Sequence, residues 1–284
     1  MDIDAFIRQA AQGWRLEEKL WIAPAGAAVA YSEARRQQNF AIEDLSFWFE
    51  HRNRCLKAVL RRFPPAGVFL DVGGGNGLVT RYLYELGIPA LLLEPGIAGC
   101  RHALERGVTH VLCGRFEQLQ WGAVKAGAIG FFDVLEHIED ESGFLNCAAN
   151  ALEAHGRLYL TVPAWPLLWS HLDIEAGHFR RYTAAGLERV LQKAGFRLLY
   201  TSYFFSPLPP ALFFLRALPF RLGWARPAQA HAIPKSQHLS GSPLLRRLAL
   251  RFLAGETIQL GQGQIPWGAS LICVAEKNVS RVPA

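Results

Sequence analysis

Short, mostly apolar runs alternate along the chain with longer amphipathic stretches, and this alternation predicts an α/β fold built on a largely parallel sheet. The predicted strands are residues 68–72, 90–93, 109–112, 128–132, 156–163, 196–201 and 271–275. The predicted helices between them are residues 78–86, 143–154 and 184–194. Thr183 is placed to cap the last of these helices, and Gly195 is placed to end it.

The first predicted strand ends in Asp71 and then breaks into a loop with glycines at Gly73, Gly75 and Gly77. Glycine permits tight turns and the close approach of a ligand to the backbone. The next strand also ends in an acid, Glu94. A strand, glycine loop, helix, strand and acid in this order predict a nucleoside-binding crevice. The alternative is an ordinary glycine-rich turn.

The glycine spacing separates two families of nucleoside-binding proteins. The dinucleotide fingerprint G-x-G-x-x-G/A requires a small residue where Leu78 or Thr80 stands, so it is absent. The chain instead carries D-x-G-x-G-x-G from Asp71 to Gly77, which resembles the first motif of the class I S-adenosylmethionine-dependent methyltransferases. The resemblance implies a Rossmann-like, seven-stranded sheet with the glycine loop against S-adenosylmethionine. It also implies that Glu94 accepts hydrogen bonds from the ribose hydroxyls.

Later motifs follow in the order of the same family. After the third strand the family often carries an acid that binds the adenine amino group, but Arg115 stands here. Glu117, or the backbone around Phe116, is expected to substitute, with the Phe116 ring packed on the purine. Residues 133–138, D-x-x-E-H-I, resemble the fourth-strand motif, in which Asp133 closes the strand beside the methyl donor.

The segment after the fifth strand, residues 163–183, resembles that of a bacterial subgroup with the pattern V-P-A…L-W-S…H-D…G-H-x-R-R-Y-T. Loops beyond the carboxyl ends of the strands line the site in open α/β sheets. The candidates for contacting substrate are therefore His171, Asp173, His178, Arg180 and Arg181. The two arginines either form structural ion pairs with acids of the core or bind a carboxylate or phosphate of the substrate.

Methyl transfer from a sulfonium is an in-line displacement that depends mainly on proximity and orientation. A hydroxyl acceptor also needs a base, and His137 and His171 are the candidate catalytic bases. The alternative for His137 is a structural histidine bonded to the backbone at a helix start. Asp133, Glu136, His137 and His171 could also bind a hard divalent cation. Asp133 departs from the metal-binding E-x-x-E-H form of some relatives, so no metal is expected.

The chain is predicted to divide into four segments. Residues 1–63 form an aromatic-rich helical cover, residues 64–202 the cofactor-binding core, residues 203–255 an insertion, and residues 256–284 the final strand region. The cover packs its aromatic face on the sheet, and Trp48 is a candidate for reaching the substrate and excluding water from it.

The predicted insertion is apolar and broken by prolines over residues 203–222, and it carries a basic amphipathic helix at 243–253. The prolines argue against a simple membrane-spanning helix. A cap over the substrate is the favoured interpretation. A membrane-surface element that meets a lipid-linked acceptor is the main alternative, and a dimer contact is a further one.

Composition narrows the function further. The net charge of +6 is spread along the chain, with no basic run and no nucleic-acid module, so a nucleic-acid partner is not expected. Scattered cysteines without a C-x-x-C pair indicate reduced thiols, and no signal peptide or 20-residue apolar run is visible. A cytoplasmic enzyme is expected, soluble or peripheral at the inner face of the membrane, with its oligomeric state left open.

These observations predict O-methylation of a small molecule, a sugar or a lipid-linked intermediate, with S-adenosylmethionine as cofactor and S-adenosylhomocysteine as product. One alternative is a protein that binds S-adenosylmethionine without catalysis. The other is a peripheral membrane module with a vestigial cofactor site.

Overall fold

The computed structural model describes residues 2–24, 43, 45–122, 124–224 and 243–278. The part of the predicted N-terminal cover at 25–42 and the part of the predicted insertion at 225–242 lie outside the described residues. The division into four segments stays a prediction.

The described residues form one mixed sheet of nine strands in the order β1-β2-β5-β4-β3-β6-β7-β9-β8. Strands β3 to β7 run parallel, and β9 lies antiparallel between β7 and β8. The strands are β1 Arg15–Glu17, β2 Leu20–Ile22, β3 Phe69–Val72, β4 Ala90–Glu94, β5 Val111–Cys113, β6 Ala126–Phe132, β7 Leu152–Pro163, β8 Phe196–Phe204 and β9 Ser270–Lys277. All seven predicted strands are present, but the predicted total of seven was wrong.

The two additional strands come from the N-terminal region, which we predicted to be helical. β1 and β2 form a hairpin that pairs parallel to β5 through β2. Its turn passes through Glu18, whose φ is 56°. Trp14 packs so closely on Gly114 that a Cβ on that glycine would lie 2.5 Å from the indole ring. The hairpin therefore depends on a partner strand remote in sequence.

Helices cover both faces of the sheet. They are α1 Ile3–Ala10, α2 Phe47–Arg62, α3 Leu78–Glu85, α4 Ile97–Glu105, α5 Glu141–Ala151, α6 His171–Ala176, α7 Ala184–Lys193, α8 Leu208–Leu212, α9 Leu218–Arg221 and α10 Pro243–Gln262. One core cluster joins α1, α5 and α7 to the sheet, and a second joins α2 and α10 to its other face. Thr183 caps α7 as predicted, because its Oγ1 accepts a 3.1 Å hydrogen bond from the backbone N–H of Gly186.

Three of these helices, α8, α9 and α10, follow β8. A π-helical turn, Phe213–Ala217, joins α8 to α9. α10 is longer than the predicted 243–253 and packs along α2. Within the part of the chain that the structure describes, no helix combines the length and apolar composition needed to cross a bilayer.

Candidate cofactor and acceptor site

The glycine loop between β3 and α3 forms the predicted tight turn with a left-handed backbone at three positions. Gly73, Gly75 and Gly77 have φ values of 68°, 56° and 78°. A Cβ on Gly77 would lie 2.7 Å from the Cβ of Ala103, so close packing excludes a side chain there. A Cβ on Gly75 would meet nothing within 4 Å. Gly75 therefore faces open space, where a ligand can approach the backbone.

Glu94 ends β4 beside this loop, and its side chain is buried. Its carboxylate accepts a 3.1 Å hydrogen bond from the backbone N–H of Gly75 and a 2.8 Å bond from that of Gly96. The acid therefore connects the loops that follow β3 and β4. A carboxylate offers about four acceptor positions, which suits hydroxyl groups placed between these loops.

Asp71 lies at the base of the same loop and is fully buried. Its Oδ2 accepts a 2.6 Å hydrogen bond from Thr80, whereas its Oδ1 has no hydrogen-bond partner. Burial raises the pKa of the Asp71 carboxyl and outweighs the hydrogen bond from Thr80, which lowers it, so that the pKa is about 6. A Cβ on Gly74 would lie 2.8 Å from Oδ2, so the loop closes directly over this acid.

The expected adenine contact needs a correction. The Phe116 ring is 2% exposed and packs among Trp121, Phe131 and Phe144 in the core. It is therefore not available to stack on a purine. The backbone of this turn and Glu117, whose side chain is exposed, stay the predicted substitutes for the missing acid.

Asp133 directly follows β6 and has a φ of 58°, an uncommon conformation for a residue other than glycine. Its two oxygens accept a 2.6 Å hydrogen bond from Arg52 and a 2.9 Å bond from Thr161. Arg52 belongs to α2, on which Trp48 stacks against Phe205 at 3.9 Å between ring centroids. The helix from the N-terminal region therefore covers the end of β6.

A cluster of titratable side chains follows Asp133 at the carboxyl end of β6. Ligand atoms of Glu136, His137 and His178 lie within 4.8 Å of one another. The two imidazoles meet edge to face at 4.7 Å between ring centroids. Glu136 is buried and its Oε2 has no hydrogen-bond partner. Burial, and to a lesser extent the negative charge of Asp133, raises the pKa of Glu136 well above its usual range.

Asp173 holds His178 in this position. Its 1% exposed carboxylate accepts hydrogen bonds from His178 Nδ1 at 2.9 Å and from Arg181 Nε at 2.7 Å. The backbone N–H of Ser170 adds a third at 2.8 Å. Burial alone raises the pKa of Asp173, but the bond from His178 and the charge of Arg181 outweigh it and hold the pKa below its usual value.

The arginine pair thus forms the structural ion pairs that the sequence allowed as one alternative. Arg181 pairs with Asp173, and Arg180 pairs with Glu141 at 3.0 Å. The structure brings His137 together with His178. His171 begins α6, where its Nδ1 is buried without a hydrogen-bond partner. The local spacing of the motifs gave no signal for the contact between His137 and His178.

Comparisons with known proteins agree with this architecture. A family model described as a methyltransferase domain matches residues 46–201, more than half of the 284-residue chain. The human mitochondrial ubiquinone biosynthesis O-methyltransferase is 30% identical over 101 residues, which are 32% of this chain and 27% of that protein. The Xanthomonas axonopodis pv. citri ubiquinone biosynthesis O-methyltransferase is 32% identical over 115 residues, which are 37% and 47% of the two chains.

The matched stretch thus spans less than half the length of either relative. A solved structure of Haemonchus contortus phosphoethanolamine N-methyltransferase 2 with S-adenosyl-L-methionine superposes with a TM-score of 0.54 at 14% identity. The superposition covers 88% of this chain and 61% of that one, and it shows a shared fold. With the family model matching most of the sheet, the chain belongs to the S-adenosylmethionine-dependent methyltransferases with the class I fold.

Proposed function

We propose that this protein transfers the methyl group of S-adenosylmethionine to an oxygen atom of a small molecule, a sugar or a lipid-linked intermediate. The observation that carries the proposal is the cluster of Glu136, His137 and His178, which lies beyond the carboxyl end of β6, the strand paired with β3. The name of the two curated relatives, O-methyltransferase, supports an oxygen acceptor.

The residues around the glycine loop fit the cofactor. S-adenosylmethionine, when bound, supplies an activated methyl group. The open space at Gly75 accepts the ligand against the backbone, and Glu94 is placed to bind hydroxyl groups of a ribose. The unpartnered buried Oδ1 of Asp71 suits an ammonium donor. We assign Asp133 to the donor end because it closes β6, the strand paired with β3.

The histidine pair supports acid–base work on the acceptor. We assign His137 as the base that takes the hydroxyl proton, with His178 against its ring and Asp173 fixing His178 through Nδ1. Asp173 and Arg181 are then positioning residues, and Arg180 orders the same loop through Glu141. Trp48 stays a proposed substrate contact on the covering helix. His171 stays the second candidate base.

Calorimetric binding of S-adenosylmethionine and S-adenosylhomocysteine tests the cofactor assignment. We expect micromolar affinity in the wild type and a loss of at least about tenfold in Glu94→Ala. The variant lacks the carboxylate that we propose accepts hydrogen bonds from the two ribose hydroxyls. Glu85→Ala is the control, because it removes a carboxylate that is 50% exposed and has no assigned role in the site. No binding to the wild type would overturn the methyltransferase function.

A transfer assay with labelled S-adenosylmethionine separates the acceptor classes. A lipid extract, a simple phenol and a free sugar are offered in turn, and the label is measured in each product. Retained cofactor binding without transfer to any oxygen acceptor would favour the non-catalytic alternative. The same assay after treatment with a chelator tests the expected independence from a metal.

A further inference from the structure

Large apolar side chains are exposed on each of the two helical stretches that follow β8. In the first stretch, Leu215 is 76% exposed and Trp224 75%. On α10, Phe252 is 76% exposed. We call the group the apolar face; its members are Phe214, Leu215, Leu222, Trp224, Leu244, Leu248 and Phe252. Such a patch marks a surface that meets another apolar phase.

Helix α10 is apolar on two opposite sides. Its inner side, with Leu250, Leu253 and Leu260, is buried in the core cluster shared with α2. Its outer side carries Leu244, Leu248 and Phe252, spaced four residues apart and therefore aligned along the helix. Only the inner side is covered by the part of the chain that the structure describes. The outer side has the pattern of a helix that lies in an interface.

Exposed cations accompany the apolar face. Residues 203–255 contain seven Lys or Arg side chains and no Asp or Glu. Arg221 ends α9, and Arg247 and Arg251 lie beside Leu248 on α10, where all three are exposed. This arrangement places cations next to apolar side chains, whereas Arg246 on the inner part of the same helix is paired with Glu50 of α2.

We propose that the apolar face docks on the surface of a bilayer that contains anionic lipids. Such a bilayer offers phosphate groups to the arginines and hydrocarbon to the leucine and phenylalanine side chains. A second copy of the chain is a poorer partner, because a symmetric contact would bring two cationic faces together. The short helices α8 and α9, with prolines among them, fit a position in the interface.

The fold connects this face to the candidate site. Glu256, near the middle of α10, accepts a 2.7 Å hydrogen bond from His51 of α2. One residue further along α2, Arg52 pairs with Asp133. Membrane binding is independent of methyl transfer, whereas delivery of a lipid-borne acceptor to the site rests on the proposed function.

Sedimentation of the full chain with phosphatidylcholine vesicles, with and without phosphatidylglycerol, tests the docking. We expect the wild type to bind the anionic vesicles, and the triple variant L215S/L248S/F252S to bind them at least about tenfold more weakly. The control variants Leu16→Ser and Ile174→Ser remove side chains that are 56% and 58% exposed elsewhere, and we expect them to bind as the wild type does. In the double variant R247A/R251A, we expect the loss of each arginine to weaken binding to the anionic vesicles about fivefold at low salt.

Three results would overturn the docking proposal. The first is a wild type that binds neither kind of vesicle, and the second is a triple variant that binds as tightly as the wild type. The third is a dimer in ultracentrifugation that the wild type and the control variants form and the triple variant does not. The last result would identify the face as a subunit interface. Calorimetry with S-adenosylmethionine on the same variants confirms that they are folded. Because that measurement needs no membrane, failure of docking and failure of the proposed function are distinguishable.

Discussion

Nη1 of Arg52 lies 2.6 Å from Oδ2 of Asp133, and this ion pair connects α2 to the carboxyl end of β6. The guanidinium side chain is 9% exposed and the carboxylate side chain 33%. Thr161 binds the other oxygen of Asp133 at 2.9 Å. The covering helix is therefore held over the proposed donor end by a charge contact as well as by packing.

Loss of this pair should destabilise the fold. Arg52→Gln leaves Asp133 without its cation and close to the Glu136 carboxyl, which is buried. We expect the free energy of unfolding to fall by about 1–3 kcal/mol, because one partner of a largely buried charge pair is removed. Urea denaturation at neutral pH measures the change.

Arg54→Gln is the matched control on the same helix. Arg54 pairs with Glu50, but its side chain is 45% exposed. An exposed pair of this kind contributes about 0.3–0.5 kcal/mol. Equal losses in the two variants would show that the contact between Arg52 and Asp133 does not hold the cover.

Local patterns were sufficient to predict much of this fold. The strand runs, the loop of Gly73 to Gly77 and the Thr183 cap each depend on a few neighbouring residues, and the structure has all of them. The hairpin β1–β2 was missed because its three-residue strands are stabilised by β5, which is remote in sequence. The pairing of His137 with His178 was missed for the same reason. Phe116 was misplaced because the motif does not tell which way its ring points.

Gly75 provides a test of the open space in the glycine loop. Gly75→Ala adds a Cβ that meets no protein atom within 4 Å. The residue has a φ of 56°, so the variant should lose about 1–2 kcal/mol of stability through backbone strain. We also expect a separate effect on the cofactor, with affinity for S-adenosylhomocysteine reduced at least about tenfold by steric contact with the new methyl group.

Gly87→Ala is the control for strain alone. Gly87 follows α3 with a φ of 71°, and a Cβ there also meets nothing within 4 Å. We expect a similar loss of stability and an unchanged calorimetric affinity. If both variants weakened binding equally, the loop at Gly75 would not be the place where the ligand approaches.

Asp71 should give the protein a recognisable dependence of stability on pH. Burial raises its pKa from the usual 3.8 to about 6 in the folded state. Between these values the unfolded chain has lost the proton and the folded protein keeps it, so stability falls as the pH rises. The two-unit difference corresponds to about 2–3 kcal/mol.

Asp71→Asn removes this titration and retains an oxygen that can accept the bond from Thr80. We therefore expect the variant to gain stability relative to the wild type as the pH is raised from about 4 to 6. Urea midpoints of both proteins across this range measure the difference. Parallel curves would show that the carboxyl is ionised in the folded protein at all these pH values.

The two candidate bases can be separated once an acceptor is identified. His137→Gln should lower kcat by about 10²–10⁴-fold, the usual contribution of a positioned base, and leave affinity for S-adenosylmethionine within about twofold. His178→Gln should lower kcat less, because it acts through the ring of His137. His171→Gln is the control from outside the cluster. A larger loss in His171→Gln than in His137→Gln would exchange their assignments.

Glu256 should stabilise the fold, because its carboxylate binds residues from distant parts of the chain. It accepts hydrogen bonds from His51 on α2 at 2.7 Å, from the backbone of Phe205 at 2.8 Å, and from Ser206 after β8. Glu256→Ala leaves these donors unpaired in a buried position. We expect a loss of about 3–5 kcal/mol in the free energy of unfolding.

The charge of Glu256 also has a pH signature. Burial alone raises the pKa of Glu256. The hydrogen bonds from His51 and Ser206 together lower it by more, so the pKa in the folded protein lies below the usual 4.5. Its stabilising contribution is therefore complete above about pH 4.5 and is lost as the pH falls through the folded pKa. Glu256→Gln keeps the shape of the side chain and cannot lose a charge, so its loss of stability relative to the wild type should shrink on acidification. Denaturation series at neutral and acid pH would contradict this account if the difference between the two proteins stayed constant.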